Sequence, residues 1–313
     1  MSDLNIVYDF SVMPITFDGL VALCGAAAMA QIHPSDSDLC SVFFIRDSYR
    51  NMSDRDKDYD ESIKRWRSQN ILIRGAGLIE NVRQVSTLDH RDVTFDKQHL
   101  HPEAWTSQTP HPLPYSWGLI RLLDQKNLDF RLLRAGQQAR NFMSAYLSGT
   151  KKNISLSIRS ADYRQSRDAK LGDWLDLYNH LENRGYHCTI VPDQQMALSG
   201  DTSIFPRERV ALSAGLDLEL RLAVYESCDG NITWTGGHSS ILWLSNCSFI
   251  NFGSLNSASF ISDERYWAHH RISTNDKISF FRDDQIYDWR EASLVDSQYL
   301  ITSSMAYLEN LNV

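Results

Sequence analysis

The stretch that decides the fold is residues 217–253, DLELRLAVYESCDGNITWTGGHSSILWLSNCSFINFG. Leu216, Leu220, Ala223 and Val224 recur at helical spacing, and Asn231 to Thr235 is a β-rich run that stops at Gly236-Gly237. His238-Ser239-Ser240 follows, and then the apolar Ile241 to Leu244, so a strand turns into a helix whose start is polar. Such a turn gathers backbone N–H groups and the positive end of a helix dipole, which suits a phosphate or diphosphate. The two glycines let the backbone approach that ligand closely.

Outward from this stretch the chain alternates strands and helices, which makes it an α/β protein. Asn5 to Phe10, a helix from Phe17 to Gln31, and Ser41 to Ile45 read as one βαβ unit. Ile71-Leu72-Ile73 with Leu78-Ile79 fits helix or strand, and Val82 to Val85 reads as a strand. From Thr94 to Trp117 prolines, histidines and aromatics mark a long structured loop. A helix from Ala135 to Leu147 ends near Gly149, and Lys151-Lys152-Asn153 is the expected boundary between a domain of residues 1–150 and one of residues 151–313. Beyond it, Ile154 to Ile158 alternates as a strand, Leu171 to Arg184 is a helix closed by Gly185, and His187 to Val191 is a strand ended by Pro192-Asp193. The tail from Gln285 to Leu311 reads as helix, packing back across the two domains.

Bulk properties agree. The 313 residues suit two domains, each large enough to bury a core. Hydrophobic residues at 42% and charged ones at 22% are ordinary for a globular protein. A net charge of -8 excludes a general nucleic-acid binder. No basic N-terminal signal is visible, and the apolar run from Gly19 to Ile32 falls short of the ~20 residues of a membrane span, so a cytoplasmic protein without a transmembrane segment is expected. Cys24, Cys40, Cys188, Cys228 and Cys247 are scattered without a CxxC pair and read as reduced, buried thiols.

Chemistry concentrates where strands end, because open α/β sheets bind ligands beyond the carboxyl ends of their strands. Arg159 stands just past the strand 154–158, with Arg164 and Arg167 behind it, and Asp193 stands just past the strand 187–191. An arginine holds two phosphate oxygens at once and stays charged at any working pH. On the helix of the opening stretch Glu219 and Glu226 share a face, and one of Asp217, Glu219 and Glu226 is a candidate for ribose or sugar hydroxyls, with helix phase not choosing between Glu219 and Glu226, while Glu219 and Arg221 also read as ordinary surface charges.

The run Arg159-Ser160-Ala161-Asp162-Tyr163 resembles the R-x-x-D-Y signature of the fucosyltransferase-like branch of GT-B glycosyltransferases, and Glu226 to Ser240 is similar to their second signature. This resemblance, over roughly residues 153–253, implies two Rossmann-like domains facing a central cleft. The second domain would bind a nucleotide-sugar donor, with no metal and no cofactor beyond that donor. By the same likeness Arg159 faces the donor diphosphate, and Ser239 and Ser240 lie near it. Ser157 and Ser160 depart from the signature, which leaves the sugar open. Gly236, Gly237, His238, Ser239 and Ser240 complete the expected donor site.

A base for an inverting transfer must reach the acceptor hydroxyl and in this architecture comes from the first domain. Asp9 at the end of the opening strand, Asp18 at the start of its helix, and His101, with His99 beside it, are the candidates. The DxD matches Asp36-Ser37-Asp38 and Asp58-Tyr59-Asp60 lie in turn-like or charged stretches, no zinc spacing occurs, and no G-x-S-x-G elbow is present, so no metal site and no serine hydrolase are expected. The expected function is transfer of a sugar from a nucleotide diphosphate to a hydroxyl of a glycan or other acceptor. A non-catalytic nucleotide or sugar binder and a nucleotide-sugar epimerase share the same shell.

Overall fold

The computed structural model describes residues 3–33, 38–46, 59–114, 117–147, 149, 151–160, 165–200, 202–259 and 262–312. The chain divides into two compact units, Met1–Arg134 and Ala135–Val313, each built on its own parallel sheet.

In the first unit β1 (Leu4–Asp9), β2 (Cys40–Ile45), β3 (Val82–Leu88) and β4 (Leu100–His101) take the order β3-β2-β1-β4. β1 pairs with β2 from Leu4↔Cys40 to Asp9↔Ile45, and on its other side with β4 through Asn5↔Leu100 and Ile6↔His101. β4 is the one strand hidden inside the long proline-rich loop, too short to show a periodicity. Helices α1 (Phe17–Met29), α2 (Glu61–Arg67), α3 (Arg74–Ala76) and α4 (Trp117–Gln125) make the connections. Residues Gly19 to Ala28 of α1 are buried all round, and their small side chains let neighbours in: a Cβ on Gly25 would stand 2.5 Å from Leu119 Cδ2. Between α2 and α3 the helix widens into a π-turn over Ser68–Ile73, so the ambiguous Ile71-Leu72-Ile73 is helical.

The second unit orders β5 (Asn153–Ile158), β6 (His187–Pro192), β7 (Gly230–Trp234), β8 (Phe249–Phe252) and β9 (Gln285–Tyr287) as β6-β5-β7-β8-β9, all parallel. Its helices are α5 (Gln137–Tyr146), α6 (Leu171–Asn183), α7 (Gln194–Ser199), α8 (Leu212–Leu216), α9 (Leu218–Ser227), α10 (Ser239–Trp243), α11 (Glu264–His269) and α12 (Ser297–Asn310). Ile154, Leu156 and Ile158 enter one core with Trp174, Leu177 and Leu181 of α6 and Leu300, Tyr307 and Leu308 of α12. The intervening Ser155 and Ser157 are also fully buried, because parallel sheets are covered on both faces. Ser155 Oγ donates to Asn231 Oδ1 at 2.6 Å, and Ser157 Oγ meets Tyr225 Oη of α9 at 2.7 Å.

Two expectations shift. The units divide at residues 134/135 rather than 150/151, because α5 packs along α9 and Glu226 and Glu219 accept the amides of Ala135 and Gly136 at 3.1 and 3.2 Å. The tail is not helical throughout. Gln285–Tyr287 pairs with β8 as an edge strand, its aromatic Tyr287 lodged between Phe249 and Phe281. Helix begins only where the Asp296 carboxylate caps the Tyr299 amide at 2.9 Å, and that helix packs on α6 of the second unit.

Candidate active site

The second sheet turns its strand order around at β5 and β7: the chain goes outward from β5 to β6, then returns to pair β7 on the other side of β5. The crevice outside the carboxyl ends at such a switch point is where open α/β sheets hold ligands. Arg159 is the first residue beyond β5, Asp193 the first beyond β6, and Thr235-Gly236-Gly237 the first beyond β7.

Arg159 is only 7% exposed, and its Nη1 donates to Asp168 Oδ1. The two are further joined by the backbone, since Ala169 N donates to Arg159 O at 3.0 Å. Arg167 is half-buried, and its carbonyl accepts from Trp234 Nε1 at 2.7 Å, which ties the arginine loop to the end of β7. Arg164, with Asp162 and Tyr163 of the signature, lies outside the described residues.

The turn after β7 explains its own sequence. A Cβ on Gly236 would stand 2.7 Å from His238 Cε1 and 3.4 Å from Arg159 Cδ, so a side chain there would displace the groups that form the site. Gly237 is exposed, while His238, Ser239 and Ser240 are buried. Both serine hydroxyls donate inside the turn, Ser239 Oγ to Gly236 O at 2.6 Å and Ser240 Oγ to Gly237 O at 2.7 Å, and Ser239 also hydrogen-bonds the Tyr287 side chain. These bonds shape the loop around the glycine backbone. His238 is held neutral, its basicity pushed far down by burial and then by Arg221, Arg159 and Arg167 around it.

Asp193 accepts from Ser160 N and Met196 N, both at 2.9 Å. It therefore joins β5 to the start of α7 and braces the residue next to Arg159. Burial pushes its carboxyl up against those hydrogen bonds and the nearby Arg221 and Arg159. Glu219, expected at the donor, accepts the Gly136 amide through Oε1 on the α5 side of α9. Arg221, expected as a surface charge, is 4% exposed and bonded to Tyr225 Oη and Pro192 O. Its phase with Leu218 and Tyr225 in the buried stripe of α9 was the available signal.

In the first unit the three base candidates separate. Asp9 is 1% exposed. Its carboxylate accepts from Arg91 Nε at 2.8 Å and Nη2 at 3.0 Å, Ser11 Oγ at 2.7 Å, Ser11 N at 3.0 Å and Trp105 Nε1 at 3.2 Å. Saturated in this way it is a structural anion and not a proton acceptor. His101 lies opposite Ile6, three residues back from Asp9, or roughly 10 Å along the strand. Burial pushes its basicity down, with Glu103 opposing and His33, from beyond the far end of α1, adding to the fall, so it is set back from the carboxyl edge. Asp18 stands at that edge, half-exposed in the first turn of α1, with Thr16 Oγ1 donating to Oδ2 at 3.2 Å. The loop before it is pinned by Arg67 Nε on Ile15 O at 2.9 Å. The Asp9–Arg91–Trp105 cluster joins residues far apart in sequence and carries no local pattern.

Among the described residues no three or more His, Cys, Asp or Glu side chains gather as a metal ion requires, and no helix is long and apolar enough to cross a membrane. Asp36, Ser37 and Asp58 of the DxD matches lie outside the described residues.

No family model matches the chain, and no curated protein matches it in sequence. Solved structures do. ADP-heptose LPS heptosyltransferase II of E. coli superposes over 99% of this chain and 99% of its own, with a TM-score of 0.54 and 10% identity. A glycosyl transferase family 9 protein of Veillonella parvula does so over 99% of both chains, with a TM-score of 0.56 and 11% identity. At this identity the likeness is one of architecture. The chain has the α/β fold of the GT-B glycosyltransferases, with two Rossmann-like domains.

Proposed function

We propose that the chain is a glycosyltransferase that moves a sugar from a nucleotide diphosphate to a hydroxyl of a glycan or polysaccharide. The second unit takes the donor and the first the acceptor. The observation that carries this reading is Arg159, a buried guanidinium fixed by Asp168 at the β5/β7 switch point beside the Gly236-Gly237 backbone. Preorganised positive groups aimed at a departing diphosphate supply a large part of catalysis, and arginines in that role support a transfer that needs no metal. In an inverting transfer the acceptor oxygen bonds to the anomeric carbon and the bond to the diphosphate breaks. The acceptor proton passes to Asp18, the candidate left at the carboxyl edge.

The sugar is the finer question. Ser157 and Ser160 depart from the R-x-x-D-Y family at the positions that tell against a GDP-fucose donor, and one structure of similar fold is named for ADP-heptose, so adenine nucleotide sugars belong in the same screen. Thermal-shift measurements against ADP-, GDP-, UDP-, CMP- and dTDP-sugars identify the donor, and product analysis with candidate acceptors tests transfer. Arg159→Ala is expected to lower turnover by about a hundredfold or more with an unchanged circular dichroism spectrum. Full activity in that variant with the identified donor sinks the reading, and binding without any product makes the protein a carrier or sensor instead.

A further inference from the structure

Arg221 carries a charge that the transfer described above does not use. It projects from the buried stripe of α9 and is 4% exposed. Its Nη1 donates to Tyr225 Oη at 3.1 Å, and its Nη2 donates to the carbonyl of Pro192 at the end of β6. Tyr225 Oη in turn meets Ser157 Oγ at 2.7 Å. Among the described residues these partners are neutral. A guanidinium withdrawn from water onto neutral acceptors is costly, and such a group is expected where a counter-charge arrives with a ligand.

Its position points to the same crevice. Its Nη2 is held on the carbonyl of Pro192, the last residue of β6 and the neighbour of Asp193, and its charge is felt by both Asp193 and His238. Among the described residues, the carboxyl ends of β5, β6 and β7 carry Arg159, Arg167 and Arg221 against the carboxyls of Asp168 and Asp193. Among these described side chains, arginines outnumber carboxylates three to two before any ligand binds.

We propose that Arg221 is a specificity-determining residue, a fixed buried charge at the carboxyl end of β6 that makes the site select a nucleoside diphosphate over the corresponding monophosphate. It acts through space on the added phosphate and by holding the Pro192 carbonyl and the Tyr225–Ser157 pair in place. This rests on the reading of the second unit as a nucleotide-sugar site.

Calorimetric titration of the full chain with ADP, GDP and UDP and with AMP, GMP and UMP tests it. Wild type is expected to bind one diphosphate more tightly than its monophosphate. Arg221→Met should weaken that diphosphate about tenfold, the effect of one partly desolvated charge nearby, and leave the monophosphate much less affected. Arg221→Lys should keep most of the preference. A folded Arg221→Met with the wild-type preference, or a wild type with no preference, overturns the proposal. If Arg221→Met does not fold, Ser157→Asp places a carboxylate against Tyr225 Oη and neutralises Arg221 where it stands. The preference must then collapse, and its survival overturns the proposal equally. A wild type that binds none of the six nucleotides overturns the nucleotide-sugar reading itself, which is a separate result.

Discussion

Asp168 grips Arg159 from nine residues further along the chain, its Oδ1 accepting from Nη1 of a guanidinium that is 7% exposed. The pair fixes the arginine's direction before a ligand arrives, so the ordering cost is met during folding rather than binding. Asp168→Asn should lower kcat/KM about tenfold through lost orientation. It should also reduce stability by about 1–3 kcal/mol, read by urea unfolding. A variant as active as wild type would show that Arg159 needs no such support.

Gly236 is a position where packing dictates the residue. A methyl group there falls on the His238 ring, and overpacking of this kind costs about 1–3 kcal/mol. Gly236→Ala is expected to melt earlier and to bind donor poorly, because the added methyl crowds both the His238 ring and Arg159 Cδ. Differential scanning calorimetry with and without donor measures both effects. If the variant is destabilised yet binds donor normally, the glycine serves the fold alone.

The Asp9 cluster predicts a pH dependence. Burial alone would raise the Asp9 carboxyl, but hydrogen bonds from Arg91, Ser11 and Trp105 outweigh it and hold the group below its usual range. A carboxyl depressed on folding contributes stability that is fully present above its unfolded value, about 4, and is lost as pH falls through the folded value. Asp9→Asn should cost about 3–5 kcal/mol at neutral pH, since it strands Arg91, and should flatten the acid limb of the stability curve. Urea titrations from about pH 7 down to pH 3 check the sign, and an unaltered acid limb would remove Asp9 from the account.

Asp18→Asn tests the assignment of the base. The side chain keeps its size and its place beside Thr16, so donor affinity should be unchanged while turnover falls by about a hundredfold to ten-thousandfold. A parallel His101→Gln variant is expected to retain most activity. The reverse pattern would move the base to β4.

The elements with a local signature were legible in the sequence. The glycine turn after β7, the arginine after β5 and the opening βαβ unit each depend on residues close together, and each is found where the pattern puts it. What the sequence concealed depends on contacts across long separations. Asp9 looked like a free carboxylate because Arg91 and Trp105 reach it from beyond β3 and β4. Glu219 looked available because its partner, Gly136, belongs to a segment read as the end of the first domain. Arg221 was hidden by its charge, which made a buried position read as a surface one. Ser239 and Ser240 stand in the turn after β7 and their hydroxyls donate to its carbonyls, a detail of geometry that no residue pattern encodes.

Among the described residues every pairing between neighbouring strands of both sheets is parallel, so no two consecutive strands there close as a hairpin. Each step of sheet assembly has to wait for a crossover, often through a helix, and contacts of high sequence separation slow the search. The chain should refold sluggishly from denaturant and expose unpaired strand edges while it does so, which makes dilute, cool refolding or synthesis alongside chaperones the practical route to active material.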